Sequence, residues 1–361
     1  MIPKARYRVG NIDIPMNSLN IAFAISIVSC ALGLPLAAHG SDIIVSTSIQ
    51  AAVNAAAPGD RIIVPPGVYR ENVAVNMSNI TITGSKNAIL DGEGLTGTNG
   101  IRVASSTPGI YLDGFTIDGL TIRNYRRNGV LLVRVNNYVI RRGFYENNEA
   151  YGIYPIRSNN GVIEGNFTSG SDDAGIYVGQ SDGSVIRGNV CFGNTVGIEI
   201  ENTKNVEAIG NLVKENSVGF NIILLPNLQV KTSDHITLRS NTITNNNRPN
   251  TLTDPDEILS RLPDGLGVLV MACDFVTLEN NRVMNNDSAG IAVVQLIPEL
   301  AETDPLVEPF PDHTLVVNNV VMHNGLNPDP RIAPFPGADL LWDFTGVGNT
   351  WAGNQYGTSF P

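Results

Sequence analysis

Apolar and polar residues alternate in short runs along most of the chain, and the runs return at a nearly constant spacing. Each unit opens with a glycine followed by apolar-x-apolar, as in GIYV at residues 175–178 and GIEI at residues 197–200. Alternation with a period of two predicts β-strands rather than helices. The unit begins at Gly129, Gly152, Gly175, Gly197, Gly219, Gly267 and Gly290, which are 23, 23, 22, 22, 48 and 23 residues apart. A fixed period in this range predicts a solenoid, in which each unit buries its apolar face on its neighbours.

About three strands fit between successive glycines, so one period of 22–23 residues predicts one coil of a parallel β-helix. Neighbouring coils should lie about 4.8 Å apart, the ordinary spacing of hydrogen-bonded strands. A second column holds an asparagine at one position of the repeat: Asn166, Asn189, Asn211, Asn241 and Asn281. We expect these amides to form stacked, structural ladders inside the turns.

Composition favours one elongated all-β domain. Hydrophobic residues make up 42% of the chain but aromatic residues only 6%, and 36 glycines are present, as a narrow core of Val, Ile and Leu requires. No linker interrupts the repeat, so residues 41–361 are predicted to form a single β-helix domain with an irregular C-terminal cap from about residue 325. The net charge of −11 argues against nucleic acid as a partner.

Residues 1–40 have the pattern of an export signal. Basic residues at Lys4, Arg6 and Arg8 precede a sixteen-residue apolar run at 21–36 and a small-residue end, Ala38-His39-Gly40. The run is short for a membrane span, which favours a cleaved signal peptide and a secreted or periplasmic protein without a membrane span. A start at Met16 is an alternative, as is lipoprotein anchoring through Cys30.

The remaining cysteines and histidines give no metal pattern. Cys191 and Cys273 are several coils apart, too far for a disulfide, and no Cys/His spacing predicts zinc. His235, His313 and His323 are scattered along the chain, which argues against a transition-metal site.

Residues 46–73, STSIQAAVNAAAPGDRIIVPPGVYRENV, predict a short helix capped by Thr47 or Ser48 that covers the first coil. This passage resembles the start of pectin-lyase-like right-handed parallel β-helix proteins, and the resemblance covers roughly residues 43–325. The segments GIYPIRS, DAGIYVGQS, GIEIEN and DLLWD resemble more closely a family of exported bacterial β-helix proteins without an assigned function. The resemblance implies a right-handed coil. It leaves function open, because the fold group includes lyases, hydrolases, epimerases and non-catalytic binders.

Asp172-Asp173 resembles the paired aspartates of polygalacturonase-type hydrolases. Their Asn-Thr-Asp, Gly-His-Gly and Arg-Ile-Lys partners are absent, as are the pectate lyase arginine motifs and the Asp-Pro-His-Asp of alginate epimerases. On the resemblance of the pair alone, Asp172 and Asp173 are candidate catalytic residues. The missing partner motifs leave an ordinary turn as the alternative.

Strand alternation predicts what the outer face of the Gly-Ile-x-Ile strands presents. If the isoleucines point inward, Tyr154, Tyr177, Glu199 and Asn221 point outward on consecutive coils. Tyrosine rings at this spacing suit sugar rings, although a structural ladder explains them equally well. Glu201 shares the face with Glu199, with Cα atoms about 6.7 Å apart. This pair suits an inverting glycosidase or calcium, and two solvated glutamates are the alternative.

Positive charge is concentrated beside this face. Residues 123–157 contain seven arginines and two glutamates, a local balance of +5: Arg123, Arg126, Arg127, Arg134, Arg141, Arg142 and Arg157 against Glu146 and Glu149. This asymmetry favours an anionic ligand such as a uronate polymer, with Arg134 and Arg157 as substrate-binding candidates. Arginines that neutralise turns are the alternative.

Two excursions rich in Pro and acidic residues interrupt the repeat, at residues 246–265 and 296–314. One leaves before a Gly-Ile-x-Ile strand and the other after one, so they are predicted to wall its outer face from two sides. Ile223, Leu269, Met271 and Val294 would then be covered. The open face would run from Asn221 back to Tyr154.

These observations predict an exported, monomeric β-helix protein that binds or modifies a polysaccharide, with a lyase or hydrolase as the enzyme version. A non-catalytic carbohydrate-binding or envelope scaffold protein is the rival. The small number of His and Met residues argues against a copper-delivery accessory protein of β-helix type.

Overall fold

Residues 40–254 and 258–361 are described by a computed structural model. Three parallel sheets of 12, 11 and 11 strands run the length of the described chain. Successive strands enter the three sheets in turn, which confirms the predicted right-handed parallel β-helix of three strands per coil. The predicted signal peptide, Met16 and Cys30 lie outside the described residues, apart from Gly40 at the peptide's end.

Sheet A contains twelve strands, paired in the order in which they follow each other along the chain. They are β1 (Asp42–Ile44), β2 (Arg61–Ile63), β5 (Ile80–Thr83), β8 (Leu112–Asp118), β11 (Val135–Arg141), β14 (Gly161–Glu164), β17 (Asp182–Arg187), β20 (Lys204–Ile209), β23 (Asp234–Arg239), β26 (Thr277–Glu279), β29 (Leu315–Val317) and β32 (Thr350–Ala352).

Sheet B is built from shorter strands. They are β3 (Gly67–Tyr69), β6 (Ala88–Asp91), β9 (Thr121–Arg123), β12 (Phe144–Glu146), β15 (Phe167–Ser169), β18 (Val190–Phe192), β21 (Leu212–Lys214), β24 (Thr242–Thr244), β27 (Arg282–Met284), β30 (Val320–Met322) and β33 (Gln355–Tyr356).

Sheet C carries the Gly-Ile-x-Ile strands. They are β4 (Val73–Val75), β7 (Asn99–Ala104), β10 (Asn128–Val133), β13 (Tyr151–Ile156), β16 (Ala174–Gly179), β19 (Val196–Glu201), β22 (Val218–Ile223), β25 (Leu266–Met271), β28 (Ala289–Val294), β31 (Ala338–Trp342) and β34 (Ser359–Phe360). The coil thus continues past residue 325, where an irregular cap was predicted.

Helices are few and short. Helix α1 (Ile49–Ala55) is capped by Ser48, whose hydroxyl accepts a hydrogen bond from the Ala51 amide at 3.2 Å, as the sequence predicted. Glu71 adds a cap from the next coil by accepting from the amides of Ile49 and Gln50 at 2.7 and 2.9 Å. Helices α2 (Ile258–Arg261) and α3 (Pro298–Ala301) lie in the two excursions, and a 3₁₀ turn spans Pro330–Ile332.

The register of sheet C pairs the same position of the sequence repeat on successive coils. Ile153, Ile176, Ile198 and Phe220 are paired in sequence across sheet C, and all four are buried in the core. The predicted asparagine ladder is confirmed: Asn166, Asn189, Asn211, Asn241 and Asn281 each bond to the next by side-chain amides at 2.9–3.0 Å. A second ladder, missed in the sequence, joins Asn194, Asn216, Asn246, Asn286 and Asn324. The ladders satisfy buried turn amides that would otherwise be costly.

Candidate functional site

The outer face of sheet C changes character along the helix axis. Tyr154, Tyr177, Glu199 and Asn221 occupy one column on consecutive coils, as predicted. Before this column the same position is held by Arg102 and Leu131, and after it by Leu269 and Ala292. The acidic and aromatic residues are therefore flanked by Leu131 on one side and by the apolar pair Leu269 and Ala292 on the other.

Burial of this column contradicts the prediction that it is open. Tyr177 is 3% exposed, Glu199 2% and Asn221 0%, whereas Tyr154 is half-buried. Two segments pack beside these residues. The described residues of the excursion 245–265 reach the starts of the sheet C strands, where the Arg248 amide bonds to the Asn216 carbonyl at 3.0 Å. An unpredicted loop at 224–233 packs at the strand ends.

That loop is tied down by two side chains from the turns after β16 and β19. Asn202 donates to the carbonyls of Leu225 and Val230 at 2.8 and 2.7 Å. Gln180 accepts from the Gln229 amide at 3.1 Å. Three of the apolar residues that were predicted to be covered, Ile223, Leu269 and Met271, are buried. Val294 is only partly buried.

Three tyrosines form a compact cluster on the face. The rings of Tyr151 and Tyr154 stack with centroids 4.2 Å apart, and Tyr177 meets Tyr154 edge-on at 4.6 Å. Burial raises the pKa of Tyr154 to about 12 and raises the pKa values of Tyr151 and Tyr177 well above their usual range. The tyrosine column predicted from the repeat exists, but its rings mostly contact one another.

Tyr177 also reaches along the sheet to a glutamate. Its hydroxyl donates to a Glu201 carboxylate oxygen at 2.6 Å. The ring lies over Gly179, where an added Cβ would overlap the Tyr177 hydroxyl. A glycine between Tyr177 and Glu201 is therefore required for this hydrogen bond.

Glu199 is the most deeply buried acid of the face. Its carboxylate accepts a hydrogen bond from the Asn221 amide at 2.7 Å, and it shares a hydrogen bond with Asp173. Burial, followed by the nearby charges of Asp173 and Glu201, raises the pKa of Glu199 well above its usual range. Burial and the neighbouring carboxylates therefore favour the protonated form of Glu199.

A pocket of about 480 Å³ opens beside Asp173, at the starts of β10, β13 and β16. Tyr151 forms part of its wall and has a side-chain hydrogen bond to Asp173. We name it the Tyr151 pocket. Its lining residues are Arg126, Arg127, Glu149, Ala150, Tyr151, Asp172, Asp173, Leu252 and Leu259.

The pocket brings together some of the predicted site residues and leaves out others. Asp172 is exposed at its rim, and Asp173 connects it to Glu199. Arg134 and Arg157 follow the ends of β10 and β13, at the opposite end of the strands, and do not line it.

The predicted +5 cluster is partly neutralised, because three of its seven arginines pair with two aspartates from outside residues 123–157. Arg123 pairs with Asp91 at 2.9 Å, and Arg141 and Arg142 both pair with Asp118. Arg126 and Arg127 are exposed and form no salt bridge with any described residue. The alternative interpretation, that the arginines neutralise turns, is correct for Arg123, Arg141 and Arg142. Only the remaining arginines can meet an anion.

Tyr151, Leu252 and Leu259 were not identified from the sequence. Tyr151 precedes the repeat glycine and falls outside the alternation that located Tyr154. The leucines belong to an excursion whose path over earlier coils has no sequence signal.

The histidines are less scattered than the sequence indicated. His235 and His313 stack on either face of Phe275, with ring centroids 5.0 and 4.9 Å from it. Beside this stack, carboxylate oxygens of Asp274, Glu308 and Asp312 lie within 4.8 Å of one another. Cys191 and Cys273 are both buried and free, as predicted.

Comparison with known proteins identifies the family. Residues 53–259, more than half of the chain, match the family described as periplasmic copper-binding protein (NosD). The chain belongs to the NosD family. A search of curated proteins found no match. Within the described residues, no helix of this NosD-family chain has the length and apolar character needed to cross a membrane.

Solved structures share the fold at low sequence identity. The A-module of a mannuronan C-5 epimerase from Azotobacter vinelandii superposes with a TM-score of 0.64 at 16% identity, covering 85% of this chain and 82% of that one. An alginate lyase from Paenibacillus sp. gives 0.53 at 17%, covering 89% and 99%. A DFA-IIIase without its lid, from Arthrobacter chlorophenolicus, gives 0.54 at 11%, covering 87% and 86%. The NosD-family chain thus has the coil architecture of these enzymes.

Proposed function

We propose that the protein binds and modifies a uronate-containing polysaccharide at the Tyr151 pocket. The observation that carries the proposal is the arrangement of unlike groups around one opening. Arg126 and Arg127 lie on the same pocket as Asp173, and Glu199, whose pKa is raised by burial, lies behind Asp173. A hydrogen-bonded pair of acids in which one has a raised pKa is a common arrangement for proton transfer.

The residues divide between holding the sugar and moving a proton. Arg126 or Arg127 would pair with a uronate carboxylate, and Tyr151 would contact a sugar ring. Asp173 is the group placed to accept a proton, because it lines the pocket whereas Glu199 is buried behind it. The base therefore moves from Glu199 or Glu201, where the sequence placed it, to Asp173. Glu199 then positions Asp173 through their shared hydrogen bond, and Asn221 holds Glu199 in place.

Shared architecture supports the same substrate class. The epimerase and the lyase named above act, by their names, on mannuronan and alginate. Their low identity to this chain shows only the fold, so the pocket residues carry the proposal.

Activity on a panel of acidic and neutral polysaccharides tests the proposal, with unsaturated-product absorbance and reducing ends as readouts. Asp173→Asn should abolish turnover while retaining binding. Arg126→Gln with Arg127→Gln should weaken binding of acidic polysaccharides, and more so at low salt, because exposed charges are screened over about 8 Å at physiological ionic strength. Arg282→Gln, an exposed change on sheet B, is the control. Activity that survives in Asp173→Asn would contradict the proposed base.

A non-catalytic polysaccharide-binding protein is the second candidate. The burial of Glu199 and Tyr177 favours it, because neither side chain can touch a polymer without movement of the covering segments. Binding without turnover on every polysaccharide that binds would establish this version.

Copper enters through the family description, and copper prefers imidazole and thioether donors. His235 and His313 cannot share an ion, because Phe275 lies between them. The Asp274 group offers only carboxylates, which suit calcium rather than copper. Met284 and Met322 are register partners on sheet B, and His323 follows Met322. The register thus places two thioether donors on adjacent coils, with an imidazole next in sequence to one of them.

Copper binding at Met284, Met322 and His323 is tested with Cu(I) and a chromogenic competitor. Met284→Leu with Met322→Leu should remove the bound equivalent, whereas Met77→Leu should not. Equal copper binding by both variants would refute this site.

Export is also part of the proposal. The charged, apolar and small-residue segments of residues 1–40 support it, as does the periplasmic description of the family. Secreted, periplasmic and Cys30-anchored forms are distinguished by N-terminal sequencing and lipid labelling of the mature protein.

A further inference from the structure

The Tyr151 pocket is one part of a longer groove. A second pocket of about 340 Å³ lies beside it, lined by Glu93, Asn124, Tyr125, Asn147 and Glu149. Glu149 lines both pockets, so the two adjoin each other. Their lining residues come from the turns before β7, β10, β13 and β16. The groove therefore crosses four successive coils, about 14 Å along the helix axis.

One end of this groove is blocked. Leu252 and Leu259 line the Tyr151 pocket, although they belong to the excursion between β24 and β25, well beyond β16 along the solenoid. The excursion folds back across the intervening coils to reach β16. Beneath it, the first residues of β19 and β22, Val196 and Val218, are 0% exposed.

The wall is braced from inside and anchored to the coil. The Asn250 amide group donates to the carbonyls of Leu259 and Leu262 at 2.7 and 3.0 Å. The amides of Arg248 and Gly265 bond to the carbonyls of Asn216 and Ser217 at 3.0 and 2.9 Å. These bonds hold both ends of the excursion against the solenoid, so the wall is part of the fold.

At the opposite end, no segment among residues 40–254 and 258–361 provides comparable cover. The groove continues from Glu149 toward Asn124 and Glu93, both of which contact solvent. The Arg102 side chain lies on the exposed outer face of β7 in the same direction. As far as the described residues extend, a chain lying in the groove leaves it toward the N-terminal coils.

We infer that the groove receives the end of an acidic polysaccharide chain, not an internal segment. The terminal sugar would lie in the Tyr151 pocket against Leu252 and Leu259, with the rest of the chain running toward the first coils. This inference rests on the proposed function and specifies its substrate as a chain end. An enzyme of this geometry releases small products from the end of the polymer.

The test measures how affinity depends on chain length. A series of uronate oligosaccharides, the longest several times the length of the groove, is titrated into the protein by calorimetry. End binding gives a Kd per chain that stays constant once the groove is filled. Internal binding gives a Kd per chain that falls in proportion to length, and this outcome would overturn the inference while leaving the proposed function intact. Absence of binding to every uronate chain would remove the proposed function and the inference with it.

Opening the wall provides the second measurement. Leu252→Gly with Leu259→Gly should let a chain pass beyond β16, so the Kd per chain should begin to fall with length. The matched control is Leu306→Gly, the same change at a site 73% exposed on the other excursion. Circular dichroism confirms that each variant is folded. A folded double variant that binds like the parent at every length would contradict the role of the two leucines.

Discussion

Glu199 is a carboxylic acid held in a place where its charge is unfavourable. It lies on a strand face, but the chain's own segments exclude water from it, and Asp173 and Glu201 add like charge. Protonation of Glu199 removes both the cost of burying its charge and the repulsion from the nearby carboxylates. The Asn221 amide donates a hydrogen bond to Glu199. The same proton links the site to the stability of the whole coil.

The pH dependence of stability should reveal this proton. The folded-state pKa of Glu199 is raised above its ordinary 4.5, so above that pH the folded state binds a proton that the unfolded state has lost. The contribution of Glu199 to the free energy of unfolding is therefore greatest below pH 4.5 and decreases as pH rises toward the folded pKa, by up to about 1.4 kcal/mol per pH unit.

Urea unfolding of the parent and of Glu199→Gln, at about pH 5 and about pH 8, measures the effect. The parent should lose stability relative to Glu199→Gln as pH rises. Glu207→Gln, an exposed change on β20, should follow the parent. Parallel pH profiles for the parent and Glu199→Gln would show that Glu199 titrates normally.

Sequence alternation located the residues of the face but not their environment. The positions of Tyr154, Tyr177, Glu199 and Asn221 follow from local pairing, which a period of two encodes directly. Their burial depends on where two insertions fold, and this is decided by tertiary contacts such as those of Asn202 with residues 225 and 230. The link from Asp173 to Glu199 has the same origin, since it joins adjacent coils.

At the scale of the element, each turn depends on the next one. Asn189 donates to the Ile163 carbonyl at 2.9 Å and to Asn211 at 3.0 Å, and its oxygen accepts from Asn166. All of these groups are buried, so no water replaces a lost partner.

Asn189→Ala should therefore destabilise the protein strongly. It leaves buried donors of Asn166 and the Ile163 carbonyl unpaired, at about 1–3 kcal/mol for each group. The free energy of unfolding from denaturant titration gives the value. Asn54→Ala, which removes one exposed hydrogen bond from Gln50, should change it by less than about 1 kcal/mol. Similar losses in the two variants would count against the ladder as a stabilising element.

Local signals also explain which elements were predicted correctly. Ser48 and the alanine-rich run specify α1 within one stretch of chain. The cap from Glu71 could not be predicted, because it comes from a later coil. The C-terminal coil was missed for a related reason: β32 to β34 have two or three residues each, too few to show alternation.

For the whole molecule, the stack of coils makes every interior position a shared one. Ile198 contacts the core between Ile176 and Phe220 and is 0% exposed. Ile198→Asp should prevent folding or destabilise it severely, because a charge would enter the core without a partner. Ile198→Val should cost only about 0.5–1.5 kcal/mol. Far-ultraviolet circular dichroism of the parent should be strand-dominated, and a spectrum with substantial helix would contradict the fold.

The hydrogen bonds of the asparagine ladder have the same geometry whatever the number of residues between successive asparagines. Asn189 and Asn211 are separated by 22 residues, and Asn241 and Asn281 by 40, yet their side chains bond at the same distance of 3.0 Å. Extra residues between two ladder asparagines form a loop outside the coil. Lineages descended from such a protein can therefore lengthen, trim or exchange the segments that shape the groove without retuning the interior. Selection for a new ligand and selection for folding then act on different parts of the gene.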